Sequence, residues 1–263
     1  MSRLAAAAVR LMVVVTLSAL LSPVWADDVV KRAAGLPGIQ SDDRRQAVIA
    51  TDWPWRAIGR VNRAGRGFCT GVLVDDRHVM TAAHCLWNPA TKAPFAATSL
   101  HFVAGWSKGT YIADSKVVSA VLADVPGYTP TVKTYDVVKD WAILELESPL
   151  GRTIGAIRPL MPSEVDADVQ FGTPLTIAGY NQDIAQDLRV DDGCSVERVT
   201  RNGLSFEHAC NGTKGVSGGP LLVKVGGNYR VAGLLVGVER PSGASVAVSM
   251  KALPVFDLAE HRP

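Results

Sequence analysis

From residue 47 onward the chain is written in short apolar runs, rich in β-branched residues and separated by turn signals. They fall at 68–74, 78–83, 117–122, 141–146, 175–178, 221–225, 229–238 and 245–248. Few stretches keep a 3.6-residue period over three turns, so an amphipathic-helix fold is excluded. Many short strands without alternating helices predict an all-β sandwich or barrel. Residues 148–170 carry Pro149, Pro159 and Pro162 and no strong strand, which predicts a connector between two β-halves of about equal size. Residues 253–260 are predicted to form a short terminal helix.

Of the 263 residues 48% are hydrophobic, enough for a sizeable core, and Lys+Arg (27) nearly balance Asp+Glu (25). That balance excludes intrinsic disorder and a polybasic nucleic-acid binder, so no nucleic-acid partner is expected. Residues 1–26 have the layout of a secretory signal peptide: Arg3 and Arg10, an apolar run over 11–21, and a small-residue site at Val24-Trp25-Ala26. The alternative, a membrane anchor, needs about 20 apolar residues. No later stretch is long and apolar enough to span. The mature chain is therefore expected to be secreted or periplasmic, with no membrane association after signal removal. Loss of Arg3 and Arg10 with no acid leaves 25 basic against 25 acidic residues. Residues 27–46 are polar, with Gly and Pro punctuation, Lys31-Arg32 and Asp42-Asp43-Arg44-Arg45. They read as an irregular arm or a removable pro-segment ahead of a domain over 47–263.

Export decides how the four cysteines are read. Outside the cytosol an even count favours disulfides. A zinc site from Cys69, Cys85, His208 and Cys210 is the alternative, but these spacings do not match the usual zinc patterns. Neither a metal nor a cofactor is expected.

Three local patterns carry chemistry. Phe68-Cys69-Thr70-Gly71 leads to Thr81-Ala82-Ala83-His84-Cys85; Asp140-Trp141-Ala142-Ile143-Leu144 follows; Gly215-Val216-Ser217-Gly218-Gly219-Pro220 comes last. Together and in this order they resemble the chymotrypsin/trypsin-fold serine endopeptidases, over residues 53–248. The arm at Asp42-Asp43-Arg44, the Pro54-Trp55-Arg56-Ala57-Ile58-Gly59 segment and a short disulfide loop before the serine resemble the bacterial secreted, glutamyl-endopeptidase-like branch. The resemblance implies two packed six-stranded antiparallel β-barrels and an exported peptidase acting on protein or peptide substrates, expected to be a monomer. It also implies a triad of His84, Asp140 and Ser217, and an oxyanion hole from the N–H groups of Gly215 and Ser217. A Cys69–Cys85 bridge would pin the His84 turn. Even pairing and the same likeness imply a second bridge, Cys194–Cys210.

The residue types fit the implied chemistry. A serine hydroxyl is a poor nucleophile unless a base removes its proton, and imidazole titrates near neutrality. Asp140, opening an apolar strand, would hold the imidazole in one tautomer. Each has a plainer reading: a core histidine beside a bridge, a strand-capping Asp (with Asp136 as competitor), a glycine-rich turn around Ser217. Gly215-x-Ser217-x-Gly219 also fits the nucleophile elbow of an α/β-hydrolase esterase, with Asp257 and His261 formally available. Against it, the residues before Ser217 are polar rather than an apolar strand, and few residues follow. An inactive or binding protein on the same scaffold is a further alternative.

Two departures from the family stand out. Val216 precedes the serine where animal members carry an Asp that pairs with a newly cut N-terminus, so that switch is expected to be absent and the oxyanion hole stabilised otherwise. At the substrate pocket Asn211 stands where trypsin-like members hold Asp, and Leu235 or Val236 where glutamate-specific members hold His. A neutral pocket for an apolar or small P1 side chain is expected. Asn211-Gly212-Thr213 also fits a glycosylation sequon, poorly placed beside the serine.

Overall fold

The computed structural model describes residues 36–40, 42–63, 65, 67–123, 136–238 and 244–254. The signal segment, the first part of the arm and most of the expected terminal helix lie outside them, as do Asp257 and His261.

Six strands close into a first barrel in the order β2-β3-β4-β9-β8-β7. They are β2 (Ile58–Arg63), β3 (Phe68–Leu73), β4 (His78–Thr81), β7 (Leu100–Ala104), β8 (Ala113–Leu122) and β9 (Ala142–Leu146). The small pair β5 (Trp87–Asn88) and β6 (Ala93–Pro94) lies outside this barrel. Val61, Val72, Val79, Leu100, Phe102, Leu144 and Leu146 are fully or almost fully buried. Each such side chain contributes about 1.5–3 kcal/mol by leaving water.

The second barrel uses β10 (Pro174–Tyr180), β11 (Leu188–Thr200), β12 (Ser205–His208), β13 (Pro220–Val225), β14 (Asn228–Val238) and β15 (Ser245–Ser249). The sheet runs β11-β10-β13-β14-β15-β12, and a further β11–β12 pairing closes it. The strand β11 spans 13 residues, long enough to pair with β10 early and β12 late, with register breaks at Leu175/Ile177 and Val196/Arg198. Leu175, Ile177, Val196, Phe206, Leu222, Leu234 and Val248 are buried there. The two-barrel expectation is met.

Between the barrels run two short helices, α1 (Gly151–Ile154) and α2 (Pro162–Asp168). The second starts at a proline, which needs no intrahelical N–H at that position, and Glu164 Oε2 accepts the Met161 N–H at 2.6 Å. Among the described residues no helix is long and apolar enough to cross a membrane.

Polar contacts across the barrel interface are specific. Thr70 of β3 accepts the Tyr180 N–H at 2.9 Å through its hydroxyl, and that hydroxyl donates to the Gly215 carbonyl at 3.0 Å. Arg60 of β2 reaches over to the Ala185 carbonyl, its guanidinium lying 4.2, 4.5 and 5.2 Å from the ring centres of Phe68, Trp106 and Tyr180. Cation–π attraction to three faces offsets part of the cost of burying this cation.

Candidate active site

Strand register brings His84 and Asp140 together. β4 and β9 are antiparallel neighbours with Thr81 opposite Ala142. The chain leaving β4 and the chain entering β9 therefore share one end of the barrel. There, His84 sits in the 3-10 turn Ala83–Leu86, and Asp140 closes the 3-10 turn Val137–Lys139.

Asp140 is fully buried and holds His84 twice. Its Oδ1 accepts the His84 backbone N–H at 2.8 Å, and its Oδ2 lies 2.7 Å from Nδ1. A carboxylate so placed requires the proton on Nδ1, leaving the Nε2 lone pair bare. Asp136 does something else: its side chain accepts the Val138 N–H at 3.3 Å and caps the turn before Asp140.

His–Asp proximity alone is not selective here. His78–Asp75, His84–Asp140 and His101–Asp114 all lie at 2.7 Å, with the acid side chains 22%, 0% and 36% exposed. Of these three, the His84 pair alone combines a sealed carboxylate with an adjacent serine turn. His78 is raised by its hydrogen bond to Asp75, against burial. Asp75 is lowered: burial acts to raise it, and the bonds from His78 and from the Arg77 and His78 N–H groups outweigh that.

Cys69 of β3 is bonded to Cys85, which clamps the His84 turn to β3. The Cys85 sulfur lies 3.8 Å from His84 Nε2 and 3.7 Å from the Ser217 carbonyl oxygen, so the imidazole and the backbone of the serine turn border the same atom. With these sulfurs in disulfides, the Cys69/Cys85/His208/Cys210 zinc alternative loses its thiolates. Cys194–Cys210 braces β11 against the segment leading to the serine.

Ser217 is half-buried on the turn between β12 and β13. Its carbonyl accepts the Thr70 N–H at 3.0 Å, so β3 holds both this turn and, through the disulfide, the histidine. The next residue has to be glycine. Gly218 has φ +78°, and a Cβ there would lie 2.2 Å from Thr81 Oγ1 and 2.5 Å from the Thr70 carbonyl. Its N–H donates to the Leu235 carbonyl at 2.7 Å, and the Leu235 N–H to the Gly219 carbonyl at 2.9 Å. Among the described residues neither the Gly215 nor the Ser217 N–H donates to a protein acceptor. Unspent backbone donors on a turn are the kind of group that can hold a developing negative charge.

Of the residues expected at the substrate pocket, Leu235 and Val236 are buried on β14 beside the turn. Asn211 is buried too, and its amide is engaged: Oδ1 accepts the Gln40 N–H at 2.7 Å and Nδ2 donates to the Asp42 carbonyl at 2.8 Å. That engagement leaves no place for a glycan in the folded chain. Three side chains with structural work at the site had no sequence role assigned: Thr70, Asn181 (accepting the Thr213 N–H at 2.8 Å) and Arg45. Thr70, inside Cys69-Thr70-Gly71, and Arg45, inside Asp42-Asp43-Arg44-Arg45, lay in segments that could have drawn attention to them; Asn181 did not.

A family model described as Trypsin matches residues 44–254. A glutamyl endopeptidase of Bacillus licheniformis is 30% identical over 145 residues, which cover 55% of this chain and 42% of that protein. A phenoloxidase-activating factor 1 of Holotrichia diomphalia is 27% identical over 211 residues, covering 67% of this chain and 56% of the relative. The chain thus spans about half the length of these curated relatives. A solved structure of Glu endopeptidase in complex with MPD matches with a TM-score of 0.66 at 21% identity, covering 81% of this chain and 93% of that one. At that identity the likeness speaks for the fold. The two barrels remove the esterase alternative, because the serine turn joins two barrel strands rather than a parallel strand and a helix.

Proposed function

The chain belongs to the trypsin family, and from that premise we propose that it is an exported serine endopeptidase with Ser217 as nucleophile, His84 as base and Asp140 as the buried acid. One observation carries the reading: a fully buried carboxylate grips His84 at both its backbone N–H and Nδ1, beside the serine turn.

In this reading Ser217 Oγ attacks the scissile carbonyl carbon while its proton passes to His84 Nε2. The carbonyl oxygen becomes an oxyanion held by the Gly215 and Ser217 N–H groups. Collapse breaks the C–N bond, and His84 returns the proton to the leaving amine. Water then attacks the acyl-enzyme, giving its proton to His84. The Ser217 alkoxide leaves, is reprotonated from His84, and the acid product departs. Asp140 keeps the imidazole oriented and stabilises its charged form.

Leu235 and Val236 beside the turn, with the Asn211 amide already bound to the arm, support a small or apolar P1 preference. Export is supported by both disulfides, which persist in oxidising compartments. The test is digestion of a defined peptide mixture by the wild type and by Ser217→Ala. Cleavage lost in the variant supports the reading; equal cleavage, or none by either protein, contradicts it.

A further inference from the structure

Residues 36–40 and 42–47 precede the first barrel in sequence but lie against the second. β1 (Gln46–Ala47) pairs with β11, Gln46 opposite Val190. The Gly38 carbonyl accepts the Gly212 N–H at 2.9 Å, and a Cβ on Gly38 (φ +87°) would stand 2.1 Å from the Gly212 oxygen. Asn211 holds the arm at Gln40 and Asp42, and Arg44 reaches Asp191 and the Ala209 carbonyl. The arm is thus bound all along the segment that leads to Ser217.

Its strongest anchor is Arg45, whose side chain is 1% exposed. Nε and Nη2 each donate to Asp43 at 2.8 Å, and Nη1 and Nη2 to Asp183 at 3.0 and 2.7 Å. Burial acts against the charges here, and the mutual pairing outweighs it: both carboxyls are held below their ordinary range and the guanidinium above its own. Asp183 accepts the Thr213 hydroxyl proton. Thr213 in turn accepts the Val216 N–H at its carbonyl at 3.1 Å, and the Gln182 N–H donates to the Lys214 carbonyl at 2.7 Å. Arg45, Asp183 and Thr213 form one continuous connection from the arm to the turn that presents the Gly215 and Ser217 N–H groups.

Val216 offers no carboxylate on that turn. Its methyls lie 2.4 Å from a Cβ built on Gly179 and 2.7 Å from one on Gly212, so an apolar side chain fills the slot between those backbones.

We propose that Arg45 is the positioning residue for the oxyanion-binding turn, fixing residues 213–217 through Asp183 and Thr213 from inside the chain, with no free α-amino group required. The proposal rests on the peptidase reading above. Arg45 is too well covered to meet substrate, so its effect passes through the turn. Since a donor of an oxyanion hole is worth on the order of 100-fold in kcat or more, a loosened turn costs rate rather than substrate binding.

The experiment measures kcat and KM on a peptide found by cleavage profiling, the phosphonylation rate with an alkyl fluorophosphonate, and Tm. It compares wild type, wild type with its α-amino group removed by transamination, Arg45→Ala, Arg45→Lys and Thr213→Val. Well below each melting temperature, Arg45→Ala and Thr213→Val are expected to lose about tenfold or more in kcat and in phosphonylation, with KM changed less than about threefold. Arg45→Lys recovers part of the loss, and removal of the α-amino group changes nothing. Folded Arg45→Ala with wild-type kcat overturns the proposal, as does dependence on the α-amino group. If Arg45→Ala does not fold, Thr213→Val decides, because it leaves the ion pairs in place: wild-type kcat there overturns the proposal. A wild type that neither cleaves nor is phosphonylated removes the peptidase reading itself, an outcome distinct from all of these.

Discussion

Asp140→Asn probes the site with a change of one atom type. Asp140 Oδ1 accepts a backbone N–H at 2.8 Å, and a backbone N–H can only donate. In the variant the amide oxygen must therefore take that position, turning the amide NH2 toward Nδ1. A donor facing Nδ1 forces the imidazole proton onto Nε2, where it blocks removal of the Ser217 proton. The alternative flip sets the amide NH2 against the backbone N–H and leaves both unpaired in a fully buried spot, at about 1–3 kcal/mol. Wrong-tautomer catalysis costs about 10⁴ in kcat, or about 5.4 kcal/mol in the barrier. The assay is single-turnover acylation by a peptide ester at neutral pH, with Tm measured in parallel. A loss of about 10⁴ with a folded protein is expected. Acylation within about tenfold of wild type would refute the reasoning, since the variant loses both the correct tautomer and the charge that stabilises the imidazolium.

Other consequences are as specific. Gly218→Ala meets both a positive φ and Thr81 Oγ1, so a loss of about 2–4 kcal/mol in urea unfolding is expected, with activity falling alongside. Removing Cys194–Cys210 by a double serine substitution opens a loop of sequence separation 16 and should cost about 3 kcal/mol in the same assay. His208 is fully buried, and burial pushes it down to about 3, with Nδ1 accepting the Cys210 N–H and Nε2 meeting no partner among the described residues. The unfolded chain binds its proton near 6.5 and the folded chain does not, so stability falls as pH drops from about 6.5 toward 3. His208→Leu should flatten that limb of a Tm-against-pH curve; an unchanged slope would assign acid sensitivity elsewhere. His78 works oppositely. Its raised folded value means the contribution is fully present below about 6.5 and is lost as pH rises above that and through the higher folded value, and Asp75→Asn should abolish it, read by NMR titration of His78.

The strands that lay in apolar, β-branched runs were legible from the sequence, with ends shifted by a residue or more. Of the barrel strands, β2, β7, β11 and β12 fall outside those runs; in Ile58–Arg63 and Leu188–Thr200 charges interrupt the apolar residues in no clean period. Their charges are satisfied by distant partners, Arg44 on Asp191 and Glu207 on Arg198, which no local pattern records. The choice between Asp140 and Asp136 likewise rests on the register that sets Thr81 opposite Ala142. The arm read as an irregular or removable segment because Arg45 meets both Asp43 and Asp183 only once the chain is folded. The segments around His84 and Ser217 stood out through their resemblance to a known family, which their local Cys and Gly spacing carries.

The central claim, that Ser217 is a nucleophile activated by His84, is tested most directly by mapping a fluorophosphonate adduct by mass spectrometry. The account predicts one adduct, on Ser217, in the wild type, absent from Ser217→Ala and reduced by at least about 10³ in rate in His84→Ala. An adduct on another residue, or undiminished labelling in His84→Ala, would contradict it.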